Sequence, residues 1–270
     1  MKYCAFQLDE QLHYGLVESV AGADHITRLL AKRPADVGGD LEDMPSRRMT
    51  SIPLTEAKLL APATPSKIVC VGRNYREHAV ELGNAVPTEP LLFFKPPSSL
   101  LAPGGGIRRP RISQRVDYEG ELAVVIGKRC YKLPPDEDVR PYILGYTCLN
   151  DVTARDLQNK DGQWTRAKGF DTFCPLGPLV TDEIDPWSGV GVTTRVNGEL
   201  RQDGNTRDFI FSLDVVIRYI SQAMTLLPGD LIATGTPSGV GPFVAGDVVA
   251  VSVESIGTLT NAVVDDSPAG

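Results

Sequence analysis

Short apolar runs separated by glycine, proline and asparagine dominate the hydrophobic pattern of this 270-residue chain. The segment from Glu121 to Ile126 is such a run and stops at Gly127, while an Asn197-Gly198 dipeptide between strand-like flanks predicts a hairpin. The C-terminal third continues in this style and is rich in Thr, Val and Gly. The pattern therefore predicts a closed or strongly curved sheet rather than alternating βαβ units.

Three helices are predicted to interrupt the strands. One lies around Asn74 to Leu82, and a second runs from about Leu213 to Gln222. The second has an apolar face at helical spacing, made of Leu213, Val216, Ile217 and Ile220. A third helix is predicted to begin near Asp151 or Thr153, because both side chains suit an N-cap.

The first sixty residues read as a small unit of their own, with strand-like pieces followed by a polar stretch rich in Gly and Pro. Pro62 and Pro65 then precede a short apolar run from Ile68 to Val71. We therefore predict a domain boundary near residue 62. Residues 1–62 would form a small N-terminal domain and residues 63–270 a catalytic domain.

Composition and charge narrow the classes of function. Hydrophobic residues make up 42% and charged residues 23%, as in soluble globular chains. The net charge of −7 disfavours a protein that mainly binds nucleic acid or an anionic membrane surface. No run approaches the length of a membrane helix, and the N-terminus meets charge too early for a signal peptide, so we expect a cytoplasmic protein.

The five cysteines are widely spaced and form no C-x-x-C pair. They do not suggest zinc, an iron-sulfur cluster or a redox dithiol. We interpret them as reduced and mostly buried.

Two glutamates in VDYEGELAVVIG are the first candidates for chemistry. Glu119 and Glu121 are two residues apart in a predicted strand, so both carboxylates share one face, opposite Gly120. Close carboxylates repel unless a cation lies between them, and oxygen ligands without Cys or His favour Mg²⁺ or Mn²⁺. The alternative is the solvated face of an edge strand. Asp151, after an apolar strand, could cap a helix, act as a ligand, or do both.

A histidine and a glutamate in GRNYREHAVE are the second candidates. His78 and Glu81 are three residues apart on a predicted helix, so the carboxylate can orient the imidazole and raise its basicity. The other two histidines, His13 and His25, belong to the N-terminal unit, which leaves His78 as the best general base. The alternative is a surface helix whose glutamates pair with solvent-facing bases.

Two lysines and one Gly-rich turn complete the candidates. Lys95 in LFFKPP and Lys168 in WTRAKGFDTF adjoin apolar or aromatic residues, so either could hold a substrate carboxylate. The alternative is an exposed lysine whose stem covers apolar neighbours. The turn GTPSGVGP, which contains Thr236, could cradle a carboxylate or form a tight corner.

Taken in order, these motifs resemble the fumarylacetoacetate hydrolase family over about residues 67 to 263. The matching segments are GRNYREH, EGE, DVTARD, AKGFD and GDLIATGTPSGVG. The resemblance is closest to the small acylpyruvate hydrolase and oxaloacetate decarboxylase members. It implies an α+β, mainly β fold, a mixed β-sandwich roll or barrel with a small N-terminal domain, and a homodimer.

The resemblance also implies roles for the candidate residues. The implied ligands of Mg²⁺ or Mn²⁺ are Glu119, Glu121 and Asp151. The implied catalytic residues are His78, Glu81 and Lys168. The positions implied to face the substrate are Arg73, Lys95 and Thr236.

The implied activity is metal-dependent cleavage of a C–C bond, by hydrolysis or decarboxylation, in a small 2-oxo acid such as an acylpyruvate or oxaloacetate. The metal and Lys168 would stabilise the enolate that forms. An isomerase/decarboxylase or hydratase acting on an unsaturated 2-oxo acid of aromatic degradation, of the 2-hydroxyhepta-2,4-diene-1,7-dioate type, is the enzymatic alternative. A non-catalytic, metal-dependent metabolite-binding domain is the alternative from another class.

Overall fold

The computed structural model describes residues 1–37, 44–81, 83 and 85–266. In the first part of the chain the strands are β1 (Lys2–Leu8), β2 (Gln11–Val20), β3 (Ala23–Leu30), β4 (Ser46–Pro53), β5 (Leu59–Leu60), β6 (Ile68–Gly72), β7 (Leu91–Lys95), β8 (Leu100–Leu101), β9 (Gly106–Arg109) and β10 (Val116–Tyr118). The later strands are β11 (Gly120–Ile126), β12 (Ile143–Asn150), β13 (Thr153–Ala154), β14 (Cys174–Thr181), β15 (Gly191–Val196), β16 (Glu199–Asn205), β17 (Leu231–Ala233), β18 (Gly241–Pro242), β19 (Val248–Val253) and β20 (Gly257–Asp265). The α-helices are α1 (Arg76–Glu81), α2 (Arg155–Asp161), α3 (Thr165–Lys168) and α4 (Leu213–Ala223).

Within the described residues the strands form three sheets. The largest runs in the order β4-β3-β2-β1-β14-β12-β11-β17-β6-β7, with β5 added beside β1 and β8 beside β14. A second sheet has the order β13-β10-β18, and a third has the order β16-β15-β19-β20-β9. Strands far outweigh helices, so the predicted α+β, mainly β class is confirmed.

The strand β11 lies at the centre of the molecule. It pairs with β12 on one side and β17 on the other, and every one of its residues is buried. Gly120 begins it, where a Cβ atom would lie 2.0 Å from Thr194 Oγ1 of β15. The glycine between the two glutamates therefore lets the sheets pack closely behind them.

Two of the predicted helices and the hairpin are present. The helix α4 buries Leu213, Val216, Ile217 and Ile220, as its spacing predicts. Asn197 and Gly198 both have positive φ and join β15 to β16, so the hairpin is confirmed. The helix α1 begins two residues later than predicted, and the predicted last residue, Leu82, lies outside the described residues.

The third predicted helix is present as well and begins at Arg155, two residues after Thr153, but its N-cap is Ala154, so the prediction that Asp151 or Thr153 caps it is wrong. Thr153 belongs to β13, which pairs with β10, and its hydroxyl donates to Glu119 and to the carbonyl of Asp151. The Asp151 carboxylate instead accepts from Lys95 and Lys168. The side chains of Asp151 and Thr153 therefore belong to a polar cluster and do not cap the helix.

The strands of the first sixty residues continue into the largest sheet. Lys2 and Tyr3 of β1 lie opposite Thr181 and Val180 of β14. Residues 38–43 of the polar stretch lie outside the described residues. The domain boundary near residue 62 stays a prediction.

All five cysteines are buried and free, as the sequence predicts. Among the described residues, no helix is long and apolar enough to cross a membrane.

Candidate active site

A cavity of about 340 Å³, within the size range of ligand pockets, brings together most of the predicted site residues. Seven of them line it: Arg73, His78, Glu119, Glu121, Asp151, Lys168 and Thr236. Glu81 and Lys95 are not among its lining residues. The cavity therefore unites segments that are up to 163 residues apart in the chain.

Three carboxylates form the floor of the cavity. Glu119, Glu121 and Asp151 each offer an oxygen, and these oxygens all lie within 4.8 Å of one another. Glu119 is 5% exposed and Glu121 is 3% exposed, beside strands that have neighbours on both sides. The alternative of a solvated edge strand is therefore wrong.

Lys168 bridges two members of this acidic triad. Its Nζ donates to Glu119 Oε2 at 2.9 Å and to Asp151 Oδ2 at 2.6 Å. The lysine is 2% exposed, so the alternative of a surface lysine is wrong for this residue. Its ammonium lies 4.9 Å from the ring centre of Phe93, which lines the same cavity.

Donors other than Lys168 also hold one oxygen of each triad carboxylate. Lys95 Nζ donates to Asp151 Oδ1 at 2.6 Å, and the backbone N–H of Gly235 donates to Glu121 Oε2 at 2.8 Å. Glu119 Oε1 accepts from Arg155 and from the Thr153 hydroxyl. These donors fix the orientation of the three carboxylates before any ligand enters.

Burial and charge act differently on two of the acids. Burial raises the pKa of Glu121 well above its usual range, and the negative charges of Asp151 and Glu119 add to that rise. Burial opposes ionisation of Glu119 too, but the charges of Lys168 and Arg155 prevail and hold the pKa of Glu119 below its usual range. Without a cation, Glu121 thus keeps a proton more readily than Glu119.

The triad fits a divalent metal ion. Two oxygens on one Mg²⁺ lie at most about 4.2 Å apart, given metal-oxygen distances near 2.1 Å, so small side-chain shifts would close this site around an ion. The donor set is made of carboxylates alone, which suits Mg²⁺ or Mn²⁺. A positive ion among the three acids would offset both the burial that raises the pKa of Glu121 and the repulsion from Asp151 and Glu119 that adds to it.

The histidine and glutamate pair lies on the short helix α1. His78 is 4% exposed and lines the cavity, while the Glu81 side chain is about one-third exposed and does not line it. His78 Nδ1 lies 3.5 Å from Glu81 Oε2 and has no hydrogen-bond partner among the described residues. The Glu81 carboxylate also accepts from the backbone N–H of Gly239 at 3.1 Å. The alternative of a wholly solvent-facing helix is wrong.

Burial lowers the pKa of His78 below 6.5, and this effect outweighs the opposite influence of Glu119 and Glu81. The imidazole is therefore neutral at pH 7. A neutral ring in a cavity can accept a proton, as a general base must.

An arginine forms part of the cavity wall. Arg73 has φ of 58°, an uncommon conformation for this residue type, and its guanidinium lies 5.9 Å from the ring centre of Trp164. It forms no ion pair with a carboxylate of the described residues. Its charge is available to an anion in the cavity.

Lys95 and Thr236 differ from what the resemblance implies. Lys95 is 1% exposed and lies behind Asp151, where its ammonium also donates to the carbonyl of Val152 at 3.1 Å. This buried position suits a lysine that supports Asp151 better than one that contacts a substrate. The alternative of an exposed lysine is wrong for Lys95. Thr236 lines the cavity, but its hydroxyl donates to the Gly120 carbonyl and accepts from Gln202. A contact between either residue and a substrate stays a prediction.

Sequence reasoning missed two further buried charged residues, Asp117 and Arg155. Asp117 is fully buried and accepts from Arg115 and Arg155, and Arg155 also reaches Glu119. Asp117 precedes Glu119 by two residues, so the alternation that links the two glutamates could have found it. Arg155 lies inside DVTARD, one of the segments that carry the family resemblance, but no role is predicted for it from the sequence.

Known proteins similar to this chain point to one family. Residues 67–264 match the family described as Fumarylacetoacetate (FAA) hydrolase C-terminal. Oxaloacetate tautomerase YisK from Bacillus subtilis (strain 168) is 41% identical over 272 residues, which cover 93% of this chain and 87% of that protein.

Two solved structures share the fold along nearly the whole chain. The 5-carboxymethyl-2-hydroxymuconate delta-isomerase from Mycobacterium smegmatis has a TM-score of 0.87 and 40% identity, and the match covers 98% of this chain and 100% of that one. The 2-hydroxyhepta-2,4-diene-1,7-dioate isomerase from Mycobacterium marinum has a TM-score of 0.87 and 40% identity over 99% of both chains. The predicted fold is confirmed, and the chain is an enzyme that belongs to the fumarylacetoacetate hydrolase family.

Proposed function

We propose that the enzyme moves a proton at C3 of a small 2-oxo acid and so interconverts its enol and keto forms, with Mg²⁺ or Mn²⁺ as cofactor. The observation that carries this proposal is that the neutral His78 ring and the acidic triad line one cavity. The names of three similar proteins describe reactions of this kind, since one is named a tautomerase and two are named isomerases. Such reactions shift a proton and a double bond and leave the carbon skeleton intact.

Each site residue has its own role in the proposed reaction. Glu119, Glu121 and Asp151 would hold the cation, which supplies Lewis-acid stabilisation of negative charge on the substrate oxygens. His78 takes or returns the proton at C3, and Glu81 orients the imidazole ring. Lys168 adds a positive charge beside the carboxylates, where it stabilises the enolate oxygen. Arg73 offers its guanidinium to a carboxylate of the substrate.

Cleavage of a C–C bond is the second candidate, and the position of Glu81 favours it. This carboxylate is about one-third exposed, so water can reach the His78–Glu81 pair. An activated water could then attack a distal carbonyl of an acylpyruvate, while decarboxylation of oxaloacetate would need no such water. The isomerase/decarboxylase and hydratase alternatives would use the same groups.

Product analysis separates the two candidates. The Mg²⁺-loaded enzyme is mixed with oxaloacetate, an acylpyruvate or a 2-hydroxymuconate-type acid, and the products are followed by NMR. With the Mg²⁺-loaded enzyme, we expect the enol and keto forms to interconvert faster than in buffer and pyruvate to form at little more than its rate in buffer. The Asp151→Asn variant should not accelerate the interconversion. Rapid release of pyruvate without faster interconversion would make C–C cleavage the function.

We also propose that the enzyme acts in the cytoplasm as a homodimer, as the sequence predicts. Light scattering then gives a mass near twice 29.2 kDa. A mass near 29.2 kDa at working concentration contradicts the dimer.

A further inference from the structure

Two aromatic side chains line the cavity beside positive groups of the site. Trp164 and Phe93 pack edge to face, with 5.1 Å between their ring centres and 69° between their planes. The Arg73 guanidinium lies 5.9 Å from the ring centre of Trp164. The Lys168 ammonium lies 4.9 Å from the ring centre of Phe93. Each ring of this aromatic pair therefore attracts a different cation.

The two cations depend on their rings to different degrees. Lys168 is already held by hydrogen bonds to Glu119 and Asp151. Within the described part of the chain, no carboxylate pairs with the Arg73 guanidinium, which lies over the Trp164 ring instead. A long side chain without a fixed contact samples many rotamers, and ordering it opposes binding of a ligand. Loss of its ring should therefore affect Arg73 more than Lys168.

The local backbone brings the indole ring and the arginine together. Gly72 ends β6 beside the indole, where a Cβ atom would lie 2.9 Å from Trp164 Cζ3. Arg73 follows with φ of 58°, in the left-handed region that few residues other than glycine adopt. Asn74 is fully buried, and its amide donates to the Thr234 carbonyl at 2.8 Å. The chain thus fixes the backbone of Arg73, and the ring places its guanidinium.

We propose that Trp164 is a positioning residue, whose ring holds the Arg73 guanidinium where that group binds a carboxylate of the substrate. This rests on the proposed function, in which Arg73 offers its charge to the substrate. The ring attracts the cation through its π face and occupies none of the N–H donors, so these remain free for a carboxylate. Because the guanidinium is ordered before the acid arrives, binding loses less conformational entropy.

A double-variant cycle tests the proposal by calorimetry on the Mn²⁺-loaded protein. The probe is 2-oxoglutarate, a stable 2-oxo acid with a carboxylate at each end, so the test does not depend on which carboxylate Arg73 holds. Trp164→Leu should weaken its binding roughly threefold to tenfold, as expected for loss of a cation–π contact, and Trp164→Phe should weaken it less. In an Arg73→Gln background, Trp164→Leu should have almost no further effect.

Kinetics with enol oxaloacetate give a second measure of the same variants. Trp164→Leu should raise KM by about the factor found in calorimetry and leave kcat nearly unchanged, because the lost contact serves binding of the substrate and of the transition state alike.

Fluorinated tryptophan tests the ring without changing its shape. The chain has two tryptophans, so growth of a Trp187→Phe variant on fluorinated tryptophan labels Trp164 alone. Fluorine withdraws electron density from the ring face, so each added fluorine should weaken binding of 2-oxoglutarate further. The same series in an Arg73→Gln background should show no trend.

Trp187→Leu is the matched control. The Trp187 ring also carries an arginine, with the Arg140 guanidinium 4.4 Å from its centre, and Trp187 does not line the cavity. This substitution should leave the binding of 2-oxoglutarate unchanged.

Equal losses from Trp164→Leu with and without Arg73 would overturn the proposal, because the ring would then shape the cavity or contact the acid itself. Unchanged or tighter binding by Trp164→Leu would also overturn it, as would a fluorine series without a trend. If the cycle behaves as expected but the unaltered enzyme does not interconvert enol and keto forms, the proposed function alone is overturned. Absence of 2-oxoglutarate binding to the Mn²⁺-loaded protein would overturn both.

Discussion

The acidic triad and the His78–Glu81 pair share one cavity but are held in different ways. The triad is attached to strands inside sheets, and each of its carboxylates accepts a hydrogen bond from a buried donor. The pair lies on a six-residue helix, with 3.5 Å between its reacting groups. The fold thus fixes the cation site closely and leaves the proton-transfer pair to tighten when a substrate binds. Substitutions in the triad and substitutions in the His78–Glu81 pair should therefore have separate effects.

The largest effect is expected from the triad. Asp151→Asn removes a negative charge from the cation site, so activity should fall to the level of the chelator-treated enzyme, roughly 10⁴-fold or more. Calorimetry with Mn²⁺ should show weakened binding, while circular dichroism shows a folded protein. Full activity of the unaltered enzyme in metal-free buffer would contradict this account of the triad.

The proton-transfer pair should affect rate without affecting the cation. His78→Ala should lower turnover by about 10² to 10⁴, the usual cost of losing a general base, and leave the Mn²⁺ affinity nearly unchanged. Glu81→Ala should lower turnover less, because it only orients the ring. The double variant should lose little more than His78→Ala, because residues that act as a unit are not additive.

A comparison of two reactions sharpens the role of His78. If the enzyme also cleaves C–C bonds, His78→Ala should slow acylpyruvate hydrolysis more than oxaloacetate decarboxylation, because only hydrolysis needs an activated water. Equal losses in both reactions, with Mn²⁺ binding intact, would mean that His78 positions the substrate and does not activate water.

The pH dependence tests the burial of His78. Because its pKa in the folded protein lies below 6.5, kcat/KM should fall about tenfold per pH unit below a midpoint that is itself under 6.5. The unfolded chain binds this proton more readily, so the free energy of unfolding should also fall as the pH drops from about 6.5 to that midpoint. Glu81→Gln removes a charge that raises the pKa of His78, so it should move the midpoint to lower pH.

The smallest effect concerns the packing behind the triad. Gly120→Ala would place a Cβ 2.0 Å from Thr194 Oγ1, so unfolding by urea should show a loss of about 1–3 kcal/mol. Gly191→Ala, at the start of β15, is the matched control, because its Cβ would meet only Glu254 at 3.5 Å. Equal stability of the two variants would show that the sheets can separate at Gly120 without cost.

The sequence predicts those features that depend on local spacing. Alternation along the extended segment that contains β10 and β11 places Glu119 and Glu121 together, and helical spacing gives the buried face of α4. The hairpin follows from two residues that tolerate positive φ. Each of these features is decided within about a dozen residues of chain.

Features that depend on distant partners could not be predicted in this way. Asp151 resembles a helix cap in sequence, but Lys95 and Lys168 reach its carboxylate from other parts of the chain. Arg155 becomes a buried partner of Asp117 and Glu119 only because β10 and β13 pair. Lys95 likewise reaches Asp151 from β7, which lies four strands away from β12 in the order of the largest sheet.

The rate at which enol oxaloacetate converts to its keto form tests the central claim most directly. It is followed by stopped-flow ultraviolet absorbance with the Mg²⁺-loaded enzyme, the chelator-treated enzyme and Asp151→Asn. The account predicts conversion well above the buffer rate for the Mg²⁺-loaded enzyme and conversion at the buffer rate for the other two. A Mg²⁺-loaded enzyme no faster than buffer, or a chelator-treated enzyme as fast as the loaded one, would contradict it.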